Sequence, residues 1–175
     1  MKEIEVRILD VDVPEMRKRL KQIGAKKVFE GKVRTNIFDF SNGLLKRKQQ
    51  MLRLRTLGKQ TVLCYKGKNI SKKFKRKEEI EVTVDDFGRA VLLLQRLGFR
   101  KIWGYAKRRE SYNIGKATVE IDKYPKIPAL IEIEAPTEKD VVAAVKKLGH
   151  EMKDTTNVNF SEILKLYKIK NSKIL

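Results

Sequence analysis

Glu3-Ile4-Glu5-Val6-Arg7 is the stretch that best indicates the fold of this chain. Successive side chains of a β-strand point to opposite faces, so Glu3, Glu5 and Arg7 share one face while Ile4 and Val6 share the other. The same alternation recurs at Arg53 and Arg55, at Lys77, Glu79 and Glu81, at Lys107 and Arg109, at Glu120 and Asp122, and at Glu132 and Glu134. One face of the predicted sheet is therefore charged on most of its strands.

The periodicity of apolar residues predicts an α+β domain. Strands are expected near residues 2–9, 35–40, 51–57, 61–67, 77–84, 105–113, 117–123 and 129–135. Helices are expected over residues 14–23, 86–97, 138–148 and around 160–167, and a glycine follows each of the first three. Because no linker rich in proline or glycine divides the chain, residues 1–170 are predicted to form one domain and residues 171–175 a C-terminal tail.

The charged face is compatible with two architectures. A single alternating strand usually belongs to a sheet with one face in water and the other against helices. A sheet of about eight strands can also close into a barrel, with the charges inside. Recurrence of the charges on nearly every strand favours the barrel, and apolar outer faces such as Ile4 with Val6, or Ile80 with Val82, are expected to receive the helices. Val91, Leu94 and Leu97 are the expected buried stripe of the second helix.

An inward charged face must contain both signs, because buried charges are costly unless they are paired. The predicted inward face has eight acidic residues and seven basic ones. They are Glu3, Glu5, Glu79, Glu81, Glu120, Asp122, Glu132 and Glu134, with Arg7, Arg53, Arg55, Lys66, Lys77, Lys107 and Arg109. Carboxylates suit Mg²⁺ or Mn²⁺, and guanidinium and ammonium groups suit phosphate. The pattern therefore indicates a site for a polyphosphate carrying a divalent metal, which the net charge of +19 on the chain would help to attract.

Composition narrows the classes of protein. One cysteine and one histidine cannot build a zinc site of thiolates and imidazoles. No apolar run approaches the roughly 20 residues of a membrane span, and the first residues lack a secretion signal, so we expect a cytoplasmic protein without a membrane partner. We do not expect a nucleic-acid partner, because the basic runs lie outside any recognisable nucleic-acid motif.

The ordered set of motifs resembles the CYTH superfamily, the triphosphate tunnel metalloenzymes, over nearly the whole chain. The stretch from Glu3 to Arg7 is similar to its N-terminal E-x-E-x-K signature, residues 63–67 (LCYKG) to its L-T-Y-K-G segment, and residues 107–112 (KRRESY) to its K-x-R-E-x-Y strand. The paired arginines at 53 and 55, the acidic pair at 79 and 81, Asp122 and residues 130–134 (LIEIE) follow in the family's order. Within the superfamily, the pattern is most similar to class IV adenylate cyclases.

The resemblance implies an eight-stranded antiparallel barrel that binds a triphosphate with Mg²⁺ or Mn²⁺. The residues carried over toward the metal are Glu3, Glu5, Glu132 and Glu134, with Glu81 and Asp122 as additions. Those carried over toward phosphate are Arg7, Arg53, Arg55, Lys66, Lys107 and Arg109. Glu79, Glu120 and Lys77 are expected to support them. The resemblance assigns no catalytic residue, and it is compatible with a homodimer.

Three functions follow from the resemblance. The first expectation is a class IV adenylate cyclase, which converts ATP to cyclic AMP and pyrophosphate. The alternative is hydrolysis of inorganic or thiamine triphosphate. The further alternative is a module that binds polyphosphate or the 5′-triphosphate end of RNA without turnover.

Several positions carry separate expectations. Arg7 stands where the signature has lysine, and a guanidinium keeps the charge but does not accept a proton. Lys68 stands where many relatives have proline. Trp103 and Tyr105 are expected to pack rather than stack on a base, and Asp39 is expected to approach the mouth of the tunnel.

Overall fold

The computed structural model describes residues 2–69 and 74–169, without the side chains of Lys2, Glu3 and residues 75–77. The strands are β1 (Lys2–Ile8), β2 (Lys26–Phe40), β3 (Met51–Leu57), β4 (Gln60–Lys66), β5 (Lys75–Val84), β6 (Phe99–Ile114), β7 (Ala117–Lys123) and β8 (Leu130–Ala135). The helices are α1 (Val13–Gln22), α2 (Leu44–Arg47), α3 (Phe87–Arg96), α4 (Glu138–Lys147) and α5 (Phe160–Leu166), with a 3₁₀ turn at Met152–Asp154. The predicted tail, residues 171–175, lies outside the described residues.

The eight strands form a closed barrel in which every neighbouring pair is antiparallel. The order around the barrel is β1-β5-β4-β3-β2-β6-β7-β8, and β1 closes it by pairing with β8. At this seam Glu5 lies opposite Glu134, and Arg7 lies opposite Glu132. The predicted α+β fold with an eight-stranded antiparallel barrel is confirmed.

Apolar residues on the outer faces of the strands bind the helices to the barrel. Ile4 and Val6 of β1 are buried in one cluster with Leu20 of α1 and Val141 of α4. A second cluster holds α5 against β6, β8 and the loop between β7 and β8, and a third holds α3 against β2 and β3. The helices therefore lie outside the barrel, and its interior is left to the charged side chains. No helix among the described residues is long and apolar enough to cross a membrane.

The helix boundaries follow from local capping. Asp12 precedes α1 and its Oδ1 accepts the backbone N–H of Glu15 at 2.8 Å, while Asp86 accepts that of Arg89 at the start of α3 at 2.6 Å. Gly24 and Gly98 follow these helices with φ of +70° and +89°, a backbone conformation that residues with a Cβ rarely adopt.

Two details of the predicted packing are wrong. Ile80 and Val82 are 55% and 51% exposed, because α3 packs against Phe38 and Leu54 of β2 and β3 and meets β5 at Val84, the last residue of that strand. Leu97 is 60% exposed, because it is the C-cap residue of α3 and lies past the end of the buried stripe.

Two strands are also longer than predicted. β2 and β6 pair from Lys26 with Asn113 to Phe40 with Phe99, so they form a long ribbon that extends beyond the predicted segments.

Candidate active site inside the barrel

A cavity of about 120 Å³ lies inside the barrel, and every residue that lines it is charged. The lining residues are Glu5, Arg7, Arg53, Arg55, Lys66, Glu79, Glu81, Arg109, Glu120, Glu132 and Glu134. All of them belong to the face that the alternation predicts to point inward. The backbones of Glu3 and Lys77 pair with each other between β1 and β5, but their side chains lie outside what the structure describes.

The two signs of charge are distributed unevenly around this cavity. The side formed by β1, β6, β7 and β8 contributes four carboxylates and two guanidinium groups, and we call it the acidic wall. The side formed by β3, β4 and β5 contributes Arg53, Arg55 and Lys66 with Glu79 and Glu81, and we call it the basic wall. A ligand inside the barrel would therefore meet an excess of negative charge on one side and of positive charge on the other.

Carboxylates of the acidic wall lie opposite one another on neighbouring strands. Glu5 pairs in register with Glu134 across β1 and β8, and Glu120 pairs with Glu132 across β7 and β8. Like charges at directly opposed positions are unfavourable in an antiparallel sheet. Burial raises the pKa of Glu120, although the nearby Arg109 acts in the opposite direction. Such a set of hard oxygen donors fits Mg²⁺ or Mn²⁺, which would relieve the repulsion between them.

Arg7 is held by acceptors of the protein on three sides. Its Nε donates to Glu132 Oε1 at 2.7 Å, its Nη2 lies 2.6 Å from Glu5 Oε1, and its Nη1 donates to the backbone oxygen of Val158 at 2.5 Å. Burial alone would lower the pKa of this guanidinium, but Glu132 and Glu5 raise it above its ordinary value. Arg7 is therefore a fixed cation that links the acidic wall to the segment before α5.

Lys107, Arg109 and Asp122 form an ion cluster behind the acidic wall. Asp122 is completely buried, and it accepts from Arg109 Nε at 2.7 Å, from Arg109 Nη2 at 2.6 Å and from Lys107 Nζ at 2.5 Å. Arg109 also pairs with Glu120, and its Nη2 donates to Glu132 at 2.6 Å. Lys107 and Asp122 do not line the cavity, so they act on it through Arg109 and the carboxylates that Arg109 holds.

The arginines of the basic wall retain donors without acceptors. Arg55 Nη2 donates to Glu81 at 3.0 Å, and Arg53 Nη2 lies 3.5 Å from the same carboxylate. The Nε atoms of Arg53 and Arg55 are buried, and no described residue accepts a hydrogen bond from either. A buried donor without an acceptor costs about 1–3 kcal/mol. An anion in the cavity could supply the missing acceptors.

Cys64 alternates with Lys66 on the inward face of β4 and is completely buried. Its Sγ and carboxylate oxygens of Glu79 and Glu81 lie within 4.8 Å of one another, so this group is a second place where a metal could bind. Burial raises the pKa of the thiol to about 11, and Lys66 and Arg55 already pair with the two carboxylates. A protonated thiol is a poor ligand for a hard cation, so this group suits Mg²⁺ or Mn²⁺ less well than a set of carboxylates alone.

A second cavity of about 90 Å³ lies at the end of the barrel where β3 begins and β4 ends, and we call it the end cavity. It shares Glu5, Arg7, Arg53, Lys66, Glu79 and Glu134 with the first cavity and adds Met51, Tyr105, Asn159 and Phe160. Met51 and Phe160 have no charge pattern that would identify them in the sequence. Met51 reaches the site as the first residue of β3, and Phe160 reaches it because α5 packs against this end of the barrel.

Of three further residues with predicted positions, Trp103 and Asp39 lie away from the barrel cavities. Trp103 and Tyr105 pack as expected, with ring centroids 5.0 Å apart, although Tyr105 also lines the end cavity. Asp39 does not approach the tunnel: it is buried and accepts the backbone N–H groups of Phe40, Leu45 and Lys46 at 2.7, 2.9 and 3.0 Å. It orders the turn into α2, because three donors converge on its carboxylate.

Comparison with known proteins points to one family. The model of the CYTH domain family matches residues 1–167. The chain is 28% identical over 137 residues to the Methanocaldococcus jannaschii protein named "Putative adenylate cyclase MJ0240", and the match covers 77% of each protein. The fold is similar to that of a "putative adenylate cyclase" from Vibrio parahaemolyticus, with a TM-score of 0.84 and 17% identity over 94% of this chain and 98% of that one.

A further solved structure differs in its described activity. It is the "Putative adenylyl cyclase HpAC1" from Hippeastrum, which is described as having a dominant triphosphatase activity. Its TM-score is 0.70, with 17% identity over the whole of both chains. At this identity the likeness concerns the fold.

Proposed function

The chain belongs to the CYTH domain family, and from this membership we propose that it is a divalent-metal-dependent enzyme acting on a triphosphate held inside the barrel. The observation that supports the proposal most directly is the charged cavity, in which a basic wall faces an acidic wall and holds two buried donors that find no acceptor among the described residues. A triphosphate with a bound divalent metal presents negative phosphate oxygens and a positive cation, which are complementary to the basic and the acidic wall. Phosphate oxygens would lie on the basic wall and the cation on the acidic wall.

On the basic wall, we assign phosphate binding to Arg53, Arg55 and Lys66. The two guanidinium groups offer buried Nε donors, and hydrogen bonds between charged groups are stronger than neutral ones. Lys66 adds a point charge at the end of β4, where it now pairs with Glu79. Arg7, Lys107 and Arg109, which the resemblance also carries over toward phosphate, act in this proposal mainly by fixing carboxylates.

On the acidic wall, we assign the metal to Glu5 and Glu134, with Glu120 and Glu132 beside them. Their oxygens are of the type that Mg²⁺ and Mn²⁺ prefer. When bound, such a cation neutralises phosphate charge and makes the phosphorus more open to attack. Arg7 and Arg109 hold Glu132 from two sides, so that part of the wall is already ordered before a ligand arrives.

The first expected reaction is cyclisation of ATP. The 3′-hydroxyl oxygen forms a bond to the α-phosphorus, the bond from that phosphorus to the bridging oxygen breaks, the hydroxyl proton is released, and pyrophosphate leaves. Hydrolysis is the second candidate, because the Hippeastrum protein of the same fold is described as mainly a triphosphatase. In that reaction water attacks the terminal phosphorus, and a diphosphate and phosphate are released.

The test is to incubate the protein with ATP, inorganic triphosphate or thiamine triphosphate, each with Mg²⁺ or Mn²⁺, and to separate the products. Cyclic AMP with pyrophosphate, lost on addition of EDTA, identifies a cyclase. Phosphate release without cyclic AMP identifies a triphosphatase. Failure to turn over any of the three with either metal contradicts the enzyme, and preferential binding of RNA with a 5′-triphosphate end would then favour a binding module.

A matched pair of variants ties the activity to the cavity. Arg55→Gln removes a buried Nε donor for which no described residue is an acceptor. We expect it to weaken triphosphate binding by about tenfold or more, since a hydrogen bond to a charged group is worth about 1.5–3 kcal/mol. Arg108→Gln removes an exposed arginine from the outer face of β6 and is the control. Equal losses in the two variants would contradict binding inside the barrel.

A further inference from the structure

We propose that a groove on the outside of the barrel binds the C-terminal segment of the same chain, residues 170–175 (KNSKIL). We call it the outer groove: a cavity of about 630 Å³ formed by residues 9–12, by α1 from residue 15 to residue 22, and by residues 148–150 after α4. It is several times larger than either barrel cavity, and its volume lies in the range of about 300–1,000 Å³ that bound ligands occupy. The segment itself lies outside the described residues.

The last described residues of the chain lie at the rim of the outer groove. The hydroxyl of Tyr167 donates to Asp10 Oδ1 at 2.5 Å, and Asp10 lines the groove. Ile169 packs against the same apolar cluster as Leu9, which is another groove residue. Because an extended chain advances about 3.3 Å per residue, the six residues after Ile169 can reach about 20 Å from this point. The segment can therefore enter the groove while α5 stays in its present place.

The point from which the segment starts is fixed. Lys168 has φ of +54°, and the backbone N–H of Ile169 donates to the oxygen of Leu164 at 2.9 Å, which is the hydrogen bonding that ends a helix with a left-handed residue. Burial and the hydrogen bond to Asp10 raise the pKa of Tyr167 to about 12, so its hydroxyl remains a donor at neutral pH. The end of α5 is therefore held beside the groove.

The walls of the groove are also held by contacts within the described chain. Arg19 Nε of α1 donates to the backbone oxygen of Lys147 at 2.8 Å, and the N–H of Val11 donates to the oxygen of Ala129 at 3.0 Å. Asp10 has φ of +56°, a conformation that is costly for a residue with a side chain and persists where the surroundings impose it. A groove that is already formed lowers the entropic cost of binding.

The outer groove is acidic at one end and apolar on its floor. Asp10, Asp12 and Glu15 line it, and no lysine or arginine of the described chain forms an ion pair with any of them. On a chain with a net charge of +19, such a group of carboxylates favours a cationic occupant. Met16 and Leu148, only 5% and 3% exposed, supply the apolar floor.

The segment carries the side chains that this groove requires. Lys170 and Lys173 come first, so they can reach the carboxylates at the rim beside Asp10. Ile174 and Leu175 come last and can reach the floor, where burial of apolar surface is favourable. A short tether gives the segment an effective concentration on the order of millimolar, so it is favoured over a separate peptide or a second copy of the chain.

Docking would give α5 a further anchor. This helix has only seven residues, and helices of that length depend on tertiary contacts. Asn159 precedes it and Phe160 begins it, and both line the end cavity. The bound segment would thus steady one end of the barrel from the outside, whatever reaction takes place within.

The test places a paramagnetic label on the segment of the full chain. Ser172→Cys provides the attachment point for a nitroxide, and the thiol of Cys64 is completely buried. The nitroxide weakens the NMR signals of backbone N–H groups close to it, and we expect this loss at residues 9–12 and 148–150. Asn171→Cys repeats the measurement in case a label at position 172 blocks docking. Full signal intensity at the groove with both labels overturns the proposal.

A matched pair of variants distinguishes docking from simple tethering at the rim, which would also weaken these signals. Glu15 and Glu138 are exposed acidic residues in the first turns of ten-residue helices, but only Glu15 lines the groove. Glu15→Lys should lower the ratio of docked to free segment about fivefold, the upper value for an exposed ion pair. Glu138→Lys, which changes the net charge equally, should leave the ratio unchanged. Ile174→Ser should lower it about tenfold through the lost burial of an apolar side chain.

The outcomes identify the occupant of the groove. An unchanged ratio in Glu15→Lys or in Ile174→Ser, or an equal fall in Glu138→Lys, overturns docking. Mixing ¹⁵N-labelled protein that lacks the nitroxide with spin-labelled protein of natural isotope content shows which chain supplies the segment. Weakened groove signals in this mixture would assign the segment to a second copy and overturn docking within one chain.

Discussion

Arg109 and Asp122 form a two-pronged ion pair in the interior of the barrel, with Nε–Oδ1 and Nη2–Oδ2 distances of 2.7 and 2.6 Å. Asp122 is thereby the residue that neutralises two cations, since Lys107 also donates to it at 2.5 Å. The arrangement places the free edge of Arg109 against Glu120 and Glu132. The stability of the fold and the order of the acidic wall therefore depend on the same carboxylate.

The first prediction concerns removal of this charge. Asp122→Asn leaves Lys107 and Arg109 buried with less compensation, and we expect the free energy of unfolding to fall by about 3–5 kcal/mol, as when one partner of a buried ion pair is removed. Urea unfolding at neutral pH measures the change. Asp85→Asn, at an exposed site between β5 and α3, should change it by less than about 0.5 kcal/mol. A loss in Asp122→Asn no larger than in this control would contradict the role of the cluster.

The alternation of charges predicts the barrel because each strand carries charged residues at every second position, and those residues share one face of the strand. It places Glu5, Arg53 and Glu132 in the interior without information from other strands. It cannot show that Asp122 lies behind the cavity while Glu120 lies in it, because that difference depends on which strand supplies Lys107 and Arg109. Charge pairing across strands is a tertiary property.

The sequence patterns also failed to predict the first half of β2, the helix α2 and the end cavity, because each depends on contacts with other parts of the chain. The first half of β2 is largely exposed, so residues 26–34 lack the apolar alternation that marks a strand, and their pairing with β6 supplies the order. The short helix α2 follows a turn held by Asp39, whose three backbone contacts span up to seven residues. The end cavity needs α5 beside β3 and β6, and no local pattern specifies that contact.

The second prediction concerns acid stability and the outer face of β6. The hydrogen bonds from Arg17 at 2.5 and 2.9 Å, assisted by the hydroxyl of Tyr112, lower the pKa of Glu110 to about 2. A lowered pKa in the folded state adds stability above the unfolded value of about 4.5, and that stability is lost as the pH falls toward 2.

Thermal unfolding of Glu110→Gln should show this dependence. The variant should melt below wild-type protein at neutral pH, and the difference in Tm should shrink between pH 4.5 and pH 2. Removal of the main donor in Arg17→Met should shift the loss of stability to higher pH. A Tm difference that stays constant across this range would contradict the lowered pKa of Glu110.

The third prediction concerns the reactivity of Cys64. Burial raises the pKa of this thiol to about 11, mainly because the thiolate would be desolvated. At pH 8 only about one molecule in a thousand would then carry the reactive thiolate. We expect a thiol-reactive disulfide reagent to modify the folded protein slowly and the urea-unfolded protein rapidly. Equal rates would show that the inward face of β4 is accessible and its thiol unperturbed.

The last prediction concerns the contact between Arg7 and Val158. Arg7→Lys keeps a positive charge beside Glu132 but is expected to lose the hydrogen bond to the Val158 oxygen, because an ammonium cannot reproduce the fork of the guanidinium. The segment of residues 155–160 should then open more readily. The N–H of Thr156 donates to the backbone oxygen of Arg7 in the native state, so its hydrogen–deuterium exchange reports this opening. We expect the exchange rate to rise about tenfold, which corresponds to a loss of about 1.4 kcal/mol in local stability. Arg17→Lys, which alters another carboxylate-bound arginine on the outer face, is the matched control and should leave this segment unchanged. Unchanged exchange in Arg7→Lys would show that ring contacts with Phe160, and not Arg7, hold the segment in place.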